Sequence, residues 1–447
     1  MKNLFKYAAA QWKSMLAIII ILFVQAYCDL SLPAYTSDIV NVGIQQGGIE
    51  DQIPEVISAE EMNRLLLFVP QEDQQTVLEA YDTDDSSYAK EAYVLKDSVS
   101  DDENEVESLK DILQGPMMLA SGFESGSDMT KQIEDQIKAN LPSQTAGVDA
   151  DIFGIMGMMP QEQREALVEE MENQMDELPD SILEQAAVSY VRSAYEDAGM
   201  DMDQMQTHYL LTTGGKMAAL AFLGMAASVA VGFLASRVGA STGRNLRSRV
   251  FRKVVDFSNN EFDHFSTASL ITRSTNDIQQ IQLLTVMLLR IVLYAPILAI
   301  GGIFQVFQTN VSMSWIIALA VVLIALVILV LFLVAMPKFK ILQTLVDKVN
   351  LVMREILTGL PVIRAFSTEK HEEERFDAAN RELTKTNLFV NRAMTFMMPV
   401  MMLVMNGVSV LIMWTGAHGI DDGQMQVGDM MAFIQYTMQI IMGFLML

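Results

Sequence analysis

The chain has 447 residues, 51% of them apolar, and a formal net charge of −25. Between Gln45 and His208 it carries 38 acidic and 8 basic residues, a net of −30, which leaves +5 for the remainder. That segregation excludes a uniformly acidic soluble protein and describes an acidic water-facing module joined to a mildly basic membrane module. The single cysteine, Cys28, excludes an intrachain disulfide and a cysteine-built metal site.

Met1 to Lys13 carries Lys2, Lys6, Trp12 and Lys13 ahead of an apolar run, which places this end in the cytoplasm. Met15 to Val24 has the length of a signal-peptide core, but no small-residue cleavage site follows it and further membrane runs do. The first span therefore continues past Asp29 and Pro33 to about Ile44, so that residues 1–44 form the N-terminus and helix 1. Asp29 is ionisable at membrane depth, where charge is costly; it reads either as a lining group or as a hydrogen-bonding group near the outer interface.

Residues 45–208 form the acidic insertion, extracellular by the alternation of spans. Val106 to Leu119 and Gln161 to Ala198 read as helical, whereas Asp82–Asp85 and Asp101–Glu105 read as solvated loops or turns. The methionines around Met156, with Met171, Met175, Met200, Met202 and Met205, admit a soft-metal reading, against which stands ordinary filling of helical core gaps. No calcium loop of the D-x-[DN]-x-[DN]-G type is present.

Residues 209–447 hold spans 2 to 6. Tyr209 to Val238 is the second, with Lys216 near its outer end, and no proline interrupts Ala218 to Asn260, which predicts one helix of roughly 65 Å. Arg237, Arg244, Arg247, Arg249, Arg252 and Lys253 mark its far part as cytoplasmic, meeting anionic lipid or setting topology rather than binding nucleic acid. Gln282 to Gln308 and Trp315 to Met336 are the third and fourth spans. Arg290 interrupts the third, facing a water-filled path or snorkelling, and Pro296 is expected to kink it.

Asn350 to Asn387 then faces water. Leu342, Leu345, Val346, Val349, Met353, Ile356, Leu357 and Leu360 fall on one helical face. A break is expected at Gly359 and Pro361, followed by a second stripe through Phe376, Ala379, Leu383 and Val390, with Asp377 and Arg381 spaced as a surface pair. Ala393 to Ala417 is the fifth span and Asp429 to Leu447 begins the sixth, still apolar where the sequence stops; a fragment of a longer protein is expected. The expected architecture is all-α: six long transmembrane helices, cytoplasmic hairpins at about 237–280 and 338–392, and a mainly helical insertion between helices 1 and 2.

Three stretches carry a family resemblance. Glu261 to Ile278 (EFDHFSTASLITRSTNDI), Arg354 to Phe366 (REILTGLPVIRAF) and Val427 to Phe433 (VGDMMAF) resemble the first hairpin, second hairpin and sixth-helix start of ABC exporters with six helices per half, of the bacterial multidrug-exporter-like class. The resemblance covers about Lys2 to Gly43 and Tyr209 to Leu447, leaves out the insertion, and departs at Ala268, where the family often has glycine.

It implies an ABC exporter type-1 transmembrane fold and a permease that exports hydrophobic or amphipathic small molecules, lipids or peptides by alternating access across the bacterial plasma membrane. It implies as partners the lipid bilayer, a second half-transporter and nucleotide-binding domains, with no nucleic acid. The chain has no G-x-x-x-x-G-K-[ST] loop; Gly239 to Gly243 is followed by Arg244. ATP and Mg²⁺ are therefore expected in a nucleotide-binding domain after the sixth helix, and no catalytic, cofactor or metal residue in this chain.

By the same resemblance both hairpin elbows dock on the ATPase domains, through Asn260, Phe262, Asp263 and Phe265 in the first and Met353, Arg354, Leu357, Thr358 and Leu360 in the second. Asp29, Arg290, Met398, Met402 and Asn406 are candidates for the substrate path. A membrane sensor with an acidic ectodomain, and an ion-coupled transporter or channel, are the competing readings; a Walker A motif downstream separates them from the exporter.

Overall fold

The computed structural model describes residues 11–84, 91–125, 152–175, 179–258, 267–309 and 313–446. Lys2, Lys6, Asp85 and residues 310–312 lie outside them. By internal contacts the chain divides into two compact units.

One unit comprises Phe23–Ala230 and Gly416–Phe433. Helix α1 (Trp12–Asp38) reaches into it and widens into a π-helical segment at Ile39–Gln45. The acidic insertion follows as β1 (Val56–Ser58), α2 (Ala59–Leu65), α3 (Gln71–Ala80), β2 (Tyr81–Asp84), β3 (Ala92–Leu95), α4 (Asp97–Ser100), α5 (Glu103–Ser125), α6 (Ile152–Met158), α7 (Gln161–Met175) and α8 (Asp180–Asp197). The three strands form an antiparallel sheet in the order β1-β3-β2, pairing Val56 with Val94 and Tyr81 with Leu95.

The sheet corrects the turn expected at Asp82–Asp85, since Asp82 and Asp84 belong to strand β2. The second acidic tract is a helix start: the Asp102 carboxylate accepts the Asn104 N–H at 2.9 Å where α5 begins. Ser58 ends β1 and caps α2, its Oγ accepting the Glu61 N–H at 3.2 Å.

Helix α8 packs on α5 and β1 over a core that includes Ile57, Phe68, Leu113 and Tyr190. Met62, Met117, Met156 and Met171 are buried in this core, and Met200, Met202 and Met205 pack against it, so these methionines act as gap-fillers.

The other unit gathers the described residues up to Leu22, within Val231–Thr415, and from Ile434 onward. Among the described residues, five helical stretches are long and apolar enough to cross a membrane: Trp12–Gln45, Met202–Val255, Thr267–Phe307, Ser314–Ala365 and Glu369–Asp421. We label Met202–Val255 α9 and Ser314–Ala365 α13. Between them lie α10 (Thr267–Thr272), α11 (Ile278–Met287) and α12 (Tyr294–Thr309). Glu369–Asp421 is α14, and a 20-residue helix, α15 (Val427–Met446), completes the set.

Helices α9, α13 and α14 have 54, 52 and 53 residues, about 80 Å each at 1.5 Å per residue. Ile18, Leu22, Val231, Ala235, Val238 and Leu289 form a small buried cluster. Nearby, α9 meets α11 through glycine: a Cβ at Gly239 would lie 2.6 Å from Val286 Cγ2, and one at Gly243 2.8 Å from Gln282 Oε1. Small residues at such a crossing let two helix backbones approach closely.

Candidate functional site

The elbow between α13 and α14 is built by one backbone motif. Ser367 has φ 53°, a left-handed conformation. The Thr368 N–H donates to Ile363 O at 3.1 Å and the Ser367 N–H to Arg364 O at 3.4 Å. This 6→1 and 5→2 pair is a Schellman stop, with serine where glycine is usual. Thr368 at once starts α14, its carbonyl accepting the His371 and Glu372 N–H groups at 3.1 and 3.2 Å, and Glu369 and Glu372 suit the positive helix start.

The break expected at Gly359 and Pro361 is therefore corrected. Helix α13 runs through both and ends at Ala365. Pro361 removes one intrahelical donor, a local loss that the surrounding turns of a 52-residue helix absorb.

Met353, Arg354, Leu357, Thr358 and Leu360 are all exposed on α13. Met353, Leu357 and Leu360 share one face, and Leu357 is 60% exposed. Val362 and Phe366, which sequence reading did not single out, extend the apolar surface to the elbow, with Phe366 74% exposed. Leu345 and Val352 are buried.

Ion pairs set the register of the two helices: Lys348 Nζ lies 2.9 Å from Glu382, and Arg375 joins Glu355 of α13 to Glu372 of α14. Each is exposed and so worth little alone. The surface pair expected of Asp377 and Arg381 is present at 2.8 Å. Asn260, Phe262, Asp263 and Phe265, the expected contacts of the first hairpin, lie outside the described residues.

The path candidates fall in three places. Met398, Met402 and Asn406 are exposed along one stripe of α14. Arg290 is exposed within a π-helical turn, Leu288–Val292, where the Leu293 N–H donates to Leu288 O at 3.2 Å. The irregularity expected at Pro296 thus takes the form of a widened turn one helical turn earlier; a proline there has no N–H for the Val292 carbonyl. Asp29 is half-buried in the other unit, where a Cβ on Gly224 of α9 would lie 3.6 Å from its Oδ1. Among the described residues no three His, Cys, Asp or Glu side chains group as a metal site.

A polar clasp that the sequence did not reveal joins α1 to the start of α15. Asp429 Oδ1 accepts from Ser37 Oγ at 2.8 Å and from Asn41 Nδ2 at 3.1 Å, while Asp429 Oδ2 accepts the Gln426 N–H at 3.2 Å. The Gly428 N–H donates to Asn41 Oδ1 at 2.7 Å. A Cβ at Gly428 would lie 2.5 Å from Asn41 Oδ1 and 2.6 Å from Ser37 O. Glycine thus permits the approach and aspartate bonds across it.

A family model described as the ABC transporter transmembrane region matches residues 184–444, more than half of the chain. The chain belongs to that family. The match to this transmembrane region begins inside α8 and includes Gly428 and Asp429, whereas Ser37 and Asn41 precede it.

Named relatives agree with the ABC transporter assignment. An uncharacterised ABC transporter ATP-binding protein of Mycobacterium tuberculosis is 35% identical over 256 residues, 57% of this chain and 44% of that protein. One of Bacillus subtilis is 36% identical over 232 residues, 51% of this chain and 40% of that protein. A mitochondrial iron-sulfur clusters transporter of Neurospora crassa is 25% identical over 250 residues, 51% and 34% of the two chains. The chain spans less than half the length of each of these ABC transporter relatives.

Proposed function

We propose that this chain is the membrane half of an ATP-driven exporter that carries hydrophobic or amphipathic molecules outward by alternating access. The observation that supports this reading most is the elbow: two helices of about 80 Å meet at a tight stop that carries the exposed apolar residues Leu357, Leu360, Val362 and Phe366. Apolar side chains at the tip of a charged helical hairpin suit burial in a protein cleft. A separate ATPase domain is the partner of that cleft. The chain itself has no phosphate-binding loop, so its residues do not fit ATP or Mg²⁺, and both belong to that domain.

In this reading α13 and α14, held in register by Lys348–Glu382 and Glu355–Arg375, move as one lever when the elbow is displaced. Met398, Met402 and Asn406 supply a path surface that adapts to varied apolar cargo. The amino terminus lies in the cytoplasm, the acidic insertion faces outward, and a second half-transporter completes the path.

The test is Leu357→Asp in the intact transporter, with Leu357→Met as control. ATP binding persists while transport in inverted vesicles drops by more than about tenfold, the loss of an apolar anchor worth ~1.4 kcal/mol or more. Normal transport by Leu357→Asp would remove the elbow as the coupling element.

A further inference from the structure

We propose that the clasp of Ser37, Asn41 and Asp429, together with the seat of α8 on the α14–α15 turn, is a releasable outer latch, and that the acidic insertion is the strap that closes it. The proposal rests on the exporter reading. Helices α1 and α15 come from opposite ends of the chain, and every direct hydrogen bond in the clasp crosses between them or supports one that does. A path opening outward between these two helices requires the clasp to part.

The insertion reaches the same place. Gly423, in the turn between α14 and α15, has φ +66° and lies so close to α8 that a Cβ would meet Ile182 Cγ1 at 2.5 Å and Pro179 Cβ at 3.6 Å. The insertion is also rooted on the membrane side: Gln206 Nε2 of α9 donates to Gly43 O at 2.8 Å, and a Cβ at Gly48 would lie 2.9 Å from Gln206 Cα. One strap therefore holds α1 and α9 at its roots and touches the α14–α15 turn at its far edge.

Two features make the far contact separable. Its closest apolar contact is Ile182 and Pro179 against a glycine, with no side chain on that glycine to interlock. Beside it lies an open cavity of about 460 Å³ whose lining mixes polar groups, Gln185, Arg192 and Gln426 among them, with Val188, Ile420 and Val427. The polar groups of this open lining hydrogen-bond water equally well before and after separation, so parting them leaves no buried donor stranded. The clasp behaves likewise: Ser37, Asn41 and Asp429 all find water as a substitute once apart, whereas an apolar seam there would resist opening.

The test is a double variant, Ser37→Cys with Asp429→Cys, in a Cys28→Ala background of the intact transporter, oxidised with copper phenanthroline. Crosslinking lowers transport by about tenfold or more, the shift expected when one of two required states is locked out, and reduction restores it. Complete crosslinking with unchanged transport would overturn the latch. Absence of ATP-dependent transport in the unsubstituted intact transporter sinks the exporter reading instead, so the two failures are distinct.

Should the double variant fold poorly, Ile182→Asp with a reporter Gln426→Cys tests the strap without touching the clasp. Loosening the seat raises labelling of that cysteine by a membrane-impermeant maleimide about threefold or more over the Gln426→Cys protein alone. Equal labelling rates overturn the strap.

Discussion

Gly428 matters for the atom it lacks, and Glu61 for a charge held out of water. At Gly428 the space beside Cα belongs to Asn41 Oδ1 and Ser37 O. Gly428→Ala therefore pushes α1 from α15 and destabilises the protein by about 1–3 kcal/mol, as overpacking does; a lower thermal midpoint in detergent is the readout, and an unchanged midpoint would refute the tight approach.

Glu61 is buried and paired with Arg64 at 2.6 Å. Burial first, then Glu124 and Asp197, push its carboxyl above the ordinary value, with Arg64 pulling the other way. Glu55 is raised too, by burial and then by Asp51 and Glu50. A raised carboxyl binds its proton more tightly in the folded state. Its contribution is fully present below the ordinary value, about 4.3, and is lost as pH rises through the folded value. The thermal midpoint of the insertion is thus expected to fall from that pH toward neutrality, and Glu61→Gln to flatten the fall. Parallel profiles for the two proteins would clear Glu61. Of these residues, the spacing of Asp377 and Arg381 announced their pairing. Nothing local announced Asn41 and Asp429, which are 388 positions apart.

Among the elements, the elbow is the clearest case of partial legibility. The period of Leu345, Val349, Met353 and Ile356 marks α13, but its end does not follow from Gly359 and Pro361. The stop depends on a left-handed serine, and no residue type at 367 signals that conformation. Ser367→Gly keeps the motif and removes the Cβ penalty, a gain of about 1 kcal/mol. Slower amide exchange at Thr368 and Ser367 is the expected result, and faster exchange would contradict it. The strands of the insertion escaped for another reason: at three and four residues each, β1, β2 and β3 are too short for period-2 alternation to emerge from an acidic background.

For the whole molecule, hydropathy and charge segregation exposed the membrane runs and the acidic insertion, because those signals accumulate over tens of residues. The candidate spans bury only 17–33% of their most apolar windows within the chain. On the exporter reading, lipid and a second half-transporter, identical or different, cover the rest. Mass measurement in nanodiscs at limiting protein should return two half-transporters per active particle, and full transport by particles holding one would rule that assembly out.

The distance along the chain between Asn41 and Asp429 also sets a timetable. Ribosomes add about 5–20 residues per second, so Asn41 emerges roughly 20–80 seconds before its partner. The buried cluster of the insertion and the residues packed on it are complete by Met205. During biogenesis the insertion is thus able to reach its form early, and the carboxamide of Asn41 waits, hydrated, until α15 arrives to close the circuit.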